Sequence, residues 1–181
     1  MKKKWLIILL IPVCLLILVS VFSPIVRLDP DHTRSGFSVP ALTQKEKEQI
    51  KEDTKNLDDE QIFWYGITKA KDDLEFTRAN DVKNKKANCV GYAAYAKQIM
   101  DYGLKVKGYD NKTFHYVGYL KPFGLFNLNN AVCKVLKNEK DKKFFSDHDF
   151  VGIEMENGRQ ILFSPSLYDK FNFGCWTEIN K

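Results

Sequence analysis

The sequence has few of the residues from which metal and phosphate sites are built. It holds four cysteines and three histidines in 181 residues, and none of them has Cys-x-x-Cys or His-x-x-x-His spacing. It has no glycine-rich loop of the kind that cradles phosphates. Ten glycines and six prolines are too few for a collagen-like or low-complexity chain. We therefore expect no metal, no cofactor and an ordinary folded domain.

A strong charge of one sign is also missing. The formal net charge is +5, but Lys2, Lys3 and Lys4 precede every acidic residue. Setting these three lysines aside leaves 25 basic residues against 23 acidic ones. So small an excess creates no field that would attract a polyanion. We expect no nucleic-acid partner.

The N-terminus, in contrast, is strongly apolar. After Lys4, no charged residue occurs until Arg27. A run of about 20 apolar residues can cross a bilayer as a helix, and the preceding lysines favour the cytoplasmic side. We predict that residues 1–26 are an uncleaved signal anchor and that the rest lies outside the cytoplasm as a single-pass membrane protein. The alternative is a cleaved signal peptide and a secreted domain, although the sequence around Pro24 is a poor cleavage site.

Local patterns divide the remainder into a linker and one domain. Residues 27–42 contain Pro30 and Pro40 and read as a linker, and residues 43–181 as the domain. Capping residues and helical periodicity predict three helices, which begin near Thr43, Asp58 and Cys89. The third is expected to end near Tyr102, with Gly103 after it.

Period-two alternation predicts the strands that follow. Two strands are expected at 104–109 and 114–120, and a short helix at 131–136. A hairpin is expected to join strands at 148–155 and 160–164, because Asn157-Gly158 suits a tight turn. The tail from Pro165 onward reads as irregular.

The cysteine count leaves one thiol over. Cys14 lies in the apolar run, so Cys89, Cys133 and Cys175 remain for the exported part. An odd number leaves at least one cysteine unpaired within a single chain. The simplest division is a Cys133–Cys175 disulfide with Cys89 free. Three reduced, buried thiols are the alternative, because bridge geometry cannot be derived from sequence.

Cys89 and His148 form the candidate catalytic pair. Cys89 stands where a polar loop becomes a helical pattern, and a helix N-terminus stabilises a thiolate. His148 opens the first strand of the predicted hairpin, from which an imidazole could act as a base. The plain alternatives are a buried small hydrophobe at Cys89 and an ordinary strand residue at His148. His115, on an aromatic strand, is expected to be a hydrogen-bonded structural histidine.

Three segments resemble the transglutaminase-like superfamily of papain-fold cysteine enzymes. Asn88-Cys89-Val90-Gly91-Tyr92-Ala93 is similar to the family's Cys-x-x-(aromatic)-Ala at a helix start. His148-Asp149-Phe150-Val151-Gly152-Ile153 is similar to its His-x-(aromatic)-x-x-(aliphatic) strand. Gln160-Ile161-Leu162-Phe163-Ser164-Pro165-Ser166 is similar to its strand ending in Asp-Pro-(Ser/Thr). The resemblance covers roughly residues 58–170.

The resemblance implies both a fold and an activity. The fold would be α+β, a papain-like or transglutaminase-like core in which a helical layer carrying Cys89 packs on an antiparallel sheet, preceded by the N-terminal transmembrane helix. Cys89 would attack a peptide or amide carbonyl of a peptide or protein substrate, with its own backbone N–H in the oxyanion site. His148 would transfer the proton. Water or an amine would complete the reaction.

The third catalytic position departs from the family pattern. Ser164 stands where the family has an aspartate that orients the histidine, and Asp169 is an alternative five residues later. Asp147 and Asp149 flank His148, but neighbouring strand residues point to opposite faces, so both are expected to be poor orienters. Losing the carboxylate weakens catalysis of this kind. The alternative function is therefore a catalytically impaired module that binds a ligand at the cell envelope.

Overall fold

The computed structural model describes residues 26–171 and 175–180, over which six helices and seven strands occur. The helices are α1 (Gln44–Thr54), α2 (Asp59–Asp73), α3 (Cys89–Lys107), α4 (Leu128–Val135), α5 (Glu139–Phe145) and α6 (Pro165–Phe171). The strands are β1 (Val26–Thr33), β2 (Glu75–Phe76), β3 (Lys86–Ala87), β4 (Lys112–Pro122), β5 (His148–Glu154), β6 (Arg159–Phe163) and β7 (Trp176–Asn180).

Five strands form one antiparallel sheet in the order β1-β4-β5-β6-β7. The sheet curls into a half-barrel, and the Leu28 N–H of one edge strand donates to Thr177 Oγ1 of the other at 2.8 Å. An irregularity in β1 between Pro30 and His32 helps the strand to bend. Gly118 allows β1 to come close, because a Cβ there would lie 2.1 Å from the Asp29 carbonyl oxygen.

The two faces of the sheet pack against different cores. Val151 and Ile153 of β5 face α3 and belong to the larger core, which also contains residues from α1 and α2. Phe150 points to the other face, where it packs with Leu28 and Leu162. Successive residues of β5 therefore point to opposite faces of the sheet. This alternation decides the direction of each polar side chain near His148.

Helix α3 is longer than the sequence predicted. The strand expected at 104–109 was wrong, since the helix continues to Lys107 and stops at Gly108, whose φ is 74°. Leu104 is 2% exposed and extends the buried face that includes Met100 one turn earlier. Gly103 lies within helix α3 and not after its end. Its lack of a side chain lets α3 approach Thr54 closely. Four alternating residues were too short a pattern to distinguish helix from strand.

Two segments predicted as irregular carry regular structure. The expected linker at 27–42 contains most of β1, and the expected irregular tail contains α6 and β7. Both strands form by pairing with another strand, β1 with β4 about 90 residues later and β7 with β6 across the intervening α6. Such pairing leaves little trace in local composition. The expected α1, α2, α4, β4 and the hairpin were confirmed.

The predicted fold class needs correction. The chain is α+β, as expected, but over the described residues its sheet is a curled antiparallel half-barrel and not the predicted transglutaminase-like core. Over residues 26–171 and 175–180, every helix is too short or too polar to cross a bilayer. The helix predicted at residues 1–26 lies outside the described residues, apart from Val26, which begins β1.

Candidate functional site

Cys89 is the first residue of α3, and two asparagines shape the turn around it. Asn88 caps the helix by accepting from the Val90 N–H at 3.0 Å. Asn80 Oδ1 accepts from the N–H groups of Asn88 and Gly91, at 2.9 and 3.2 Å. The Cys89 N–H has no acceptor among the described residues. Like other N–H groups in the first turn of a helix, this amide is open to a ligand oxygen, and the oxyanion role predicted for it stays a prediction.

Cys89 and His148 line the same cavity, which has a volume of about 290 Å³. Its walls come from β2 and the loop after it, from β4, and from helices α4, α5 and α6. The other lining residues are Phe76, Arg78, Leu120, Asn129, Phe144, Phe145, Asp147, Ser166, Leu167 and Lys170. The predicted nucleophile and base thus line one cavity, but among the described residues no hydrogen bond joins them, since Cys89 Sγ has Asp149 as its partner and His148 has Ser164.

The third predicted residue, Ser164, contacts His148. His148 Nε2 and Ser164 Oγ are 2.7 Å apart, and both residues are buried. The Leu167 N–H also donates to Ser164 Oγ, at 3.3 Å. A hydroxyl can either donate to or accept from Nε2, whereas a carboxylate can only accept. Ser164 consequently positions the imidazole without forcing the tautomer in which Nδ1 is free to take a proton.

Asp149 is the site residue that sequence reasoning missed. It is fully buried, and its Oδ1 lies 2.5 Å from Arg34 Nε and 2.7 Å from His115 Nε2, while Oδ2 lies 3.0 Å from Arg34 Nη2. The Cys89 Sγ is 4.0 Å from Oδ2. Asp149 and His148 occupy neighbouring positions of β5 and point to opposite faces of the sheet, and Asp149 is the one whose side chain contacts the Cys89 sulfur. Asp149, Val151 and Ile153 are alternate residues of one strand, so they face the same side of the sheet. This alternation was the sequence signal for a carboxylate that faces the core.

Burial and this carboxylate keep Cys89 protonated. Burial, followed by the negative charge of Asp149, raises the pKa of the Cys89 thiol to about 12. The backbone N–H groups of Asp149 and Val90 lower it, but by less. Burial lowers the pKa of His148 to about 4. At neutral pH the cavity is therefore lined by a neutral thiol and a neutral imidazole.

The buried carboxylate itself stays ionised. Burial alone would raise the pKa of Asp149, but hydrogen bonds from His115 and Arg34 outweigh it and hold that pKa below its ordinary value. Burial, together with the charge of Asp149, raises the pKa of Asp147. The predicted structural role of His115 is thus borne out as a hydrogen bond to Asp149.

The remaining predicted residues lie elsewhere. Asp169 Oδ2 accepts from the Tyr92 hydroxyl at 2.7 Å. The hydrogen-bond partner of His148 is Ser164 instead. The three cysteines of the described residues are all free thiols, so the Cys133–Cys175 disulfide is not formed. Cys133 Sγ donates to the Lys142 carbonyl at 3.3 Å, and Cys175 is fully buried.

No protein-family model, curated protein or solved structure matches this chain. The resemblance to the transglutaminase-like superfamily accordingly stays a prediction, based on the three quoted segments.

Proposed function

We propose that this protein is a thiol-dependent acyl-transfer enzyme acting on peptide or amide bonds, with Cys89 as nucleophile. The observation that carries the proposal is the shared cavity, into which a helix-start cysteine and a buried histidine both open. The His148–Ser164 hydrogen bond supports it, because in the tautomer whose Nε2 donates to Ser164 Oγ the other ring nitrogen, Nδ1, can take a proton.

The reaction would proceed through a thioester. Cys89 Sγ bonds to the substrate carbonyl carbon as the thiol proton passes to His148 Nδ1. The Cys89 N–H donates to the oxygen on which negative charge develops. The carbon–nitrogen bond then breaks, and the amine leaves with the proton from His148. Water or a second amine attacks the thioester, which releases the acyl group and regenerates the thiol.

The neutral resting state sets the timing of proton transfer. With a thiol pKa of about 12 and an imidazole pKa of about 4, a preformed thiolate–imidazolium pair is strongly disfavoured. The proton must therefore move while the carbon–sulfur bond forms. In this respect the site resembles a hydroxyl nucleophile with a histidine base more than a reactive thiolate.

The neutral resting state of Cys89 and His148 also favours a second candidate, a module that binds acyl or peptide ligands without turnover. A protonated Cys89 and a His148 whose tautomer is not fixed are features of an impaired active site. In this reading the cavity holds a ligand and the reaction does not follow.

Turnover and binding can be separated with denatured casein as substrate. The full chain is incubated with casein and a fluorescent primary amine, and new amino groups and incorporated amine are measured separately. The enzyme proposal predicts at least one product with wild type and neither with Cys89→Ser. Saturable binding that Cys89→Ser retains, without either product from wild type, would select the binding module. Absence of both would refute the two candidates.

We also propose that the domain acts outside the cytoplasm, at a membrane or after secretion. The support is the order of Lys2–Lys4 and the uncharged run that follows in the sequence. A reporter enzyme that works only in an oxidising compartment, fused after Lys181, would be active if this is correct. Activity of a cytoplasm-specific reporter at the same position would contradict it.

A further inference from the structure

The cavity beside Cys89 has largely apolar walls that come from four separate parts of the chain. Phe76 belongs to β2, Leu120 to β4, and Leu167 to α6, while Phe144 and Phe145 end α5. Since these segments are distant in sequence, the apolar surface is a product of the tertiary fold. An enclosed apolar pocket with a few polar groups is the usual form of a small-ligand site.

Fixed polar contacts hold these walls in place. Asn129 is buried; its Oδ1 accepts from the Leu120 N–H at 2.8 Å, and its Nδ2 donates to the Phe145 carbonyl at 3.1 Å. Arg78 Nη1 donates to Asp141 Oδ1 at 2.8 Å and ties α5 to the loop after β2. The cavity is thus already formed, so a ligand loses little binding free energy in ordering it.

One buried polar atom in the cavity wall has no partner. Ser166 is fully buried, it lines the cavity, and its Oγ makes no hydrogen bond within the described part of the chain. Buried hydroxyls in native structures are nearly always hydrogen-bonded. A polar group of a bound ligand would supply the partner that the Ser166 hydroxyl lacks.

The charges at the cavity favour a neutral ligand. Arg78 is paired with Asp141 and stacks over the Phe144 ring at 5.5 Å. Lys170 lies 5.8 Å from the centre of the Phe76 ring. Asp147 also lines the cavity and would repel an anion when ionised. The lining thus combines a paired cation, a second cation over an aromatic ring and a carboxyl group.

From these observations we propose that the cavity is an acyl-group subsite. It binds a short, neutral apolar chain or side chain of the acyl substrate, and Ser166 Oγ bonds the adjoining amide. The assignment rests on the proposed function for its link to catalysis. A volume of about 290 Å³ accommodates one side chain or a short acyl chain, since sites for whole drug-sized ligands are typically about 300–1,000 Å³.

Binding of simple amides tests the subsite without requiring turnover. Propanamide, butanamide and hexanamide are titrated into the full chain, kept soluble in an amphipol, with its leucine methyl groups labelled for NMR. We expect shifts at Leu120 and Leu167 and none at Leu125, which is 79% exposed and outside the cavity. Kd should fall about fourfold for each added methylene.

Three variants assign the contacts. Leu167→Ala should flatten the gain per methylene, and the matched control Leu125→Ala should leave it unchanged. Ser166→Ala should weaken every amide by about two- to tenfold and leave the gain per methylene intact. No dependence on chain length, equal shifts at Leu125, or unaltered binding in both cavity variants would overturn the subsite.

The outcome for the proposed function is separate. Hexanamide binding in the cavity, with no acylation of Cys89 by a hexanoyl ester, would refute the enzyme and leave the subsite standing. Acylation of Cys89 with no preference for hexanoyl over acetyl esters would refute the subsite and leave the enzyme standing.

Discussion

Removal of the Asp149 charge should make Cys89 more reactive. The carboxylate lies 4.0 Å from the sulfur, and its negative charge is the second largest cause of the raised thiol pKa. A full charge at about 4 Å contributes about 4 kcal/mol at an effective dielectric constant of 20. Arg34 offsets part of this, and every remaining ~1.4 kcal/mol changes the thiolate population about tenfold. We therefore expect Asp149→Asn to accelerate alkylation of Cys89 at least about tenfold at pH 7.

The assay is the rate of iodoacetamide modification, assigned to each cysteine by peptide mass spectrometry. Asp147→Asn is the matched control, because the Asp147 charge raises the Cys89 pKa by less than that of Asp149 does. Cys175 is fully buried, so its unchanged protection shows that the fold is intact. An Asp149→Asn protein with Cys175 protected and Cys89 no faster than in wild type would refute this electrostatic account.

The same substitution should alter stability in a pH-dependent way. Asp149 is the buried partner of its ion pair with Arg34. Asp149→Asn should therefore lower the free energy of unfolding by about 1–3 kcal/mol at pH 7. Because the pKa of Asp149 is lower in the folded state, its contribution is present above the unfolded pKa and is lost as pH falls through the folded one. Urea unfolding should therefore show a larger difference from wild type at pH 7 than at pH 3. An equal difference at both pH values would contradict the assignment.

Two further comparisons follow from particular contacts. Gly118→Ala should destabilise the protein more than Gly66→Ala, because the new Cβ would overlap the Asp29 backbone in the first case and the Met100 side chain in the second, where the nearest backbone atom is the Ala96 carbonyl oxygen at 3.2 Å. Urea unfolding of both variants measures this, and the reverse order would contradict it. Ser164→Ala should slow acylation of Cys89 about tenfold, because Ser164 is hydrogen-bonded to His148. Asp169→Ala should change the acylation rate by less than about twofold, because Asp169 is bonded to Tyr92 instead. Equal losses of the single-turnover acylation rate in both variants would contradict the assignment of the third residue.

Local chemistry made part of the fold predictable. The α1 start was evident because Thr43 and Glu46 form a capping box within one turn. The hairpin was evident because Asn157-Gly158 supplies a positive-φ residue, and Gly158 has a φ of 79°. Each of these signals lies within a few residues of the structure it determines, so no tertiary information was needed.

What sequence could not provide depends on contacts between distant residues. Strand β1 exists because it pairs with β4 about 90 residues later, whereas Pro30 within it and Pro40 after it suggested a linker. Gly103 and Gly108 are equally good terminators by residue type, and the packing of Leu104 decides between them. The Arg34–Asp149–His115 cluster joins three separate segments, so the carboxylate that restrains Cys89 could not be identified before the fold was known.

The central claim is that Cys89 and His148 act together on an acyl group. The most direct measurement is single-turnover acylation of the full chain by p-nitrophenyl hexanoate at pH 7, followed by intact mass and peptide mapping. The account predicts one hexanoyl group on Cys89, formed at least about 100-fold more slowly in His148→Gln, as expected for loss of a general base. Acylation of Cys89 at equal rates in wild type and His148→Gln would contradict it.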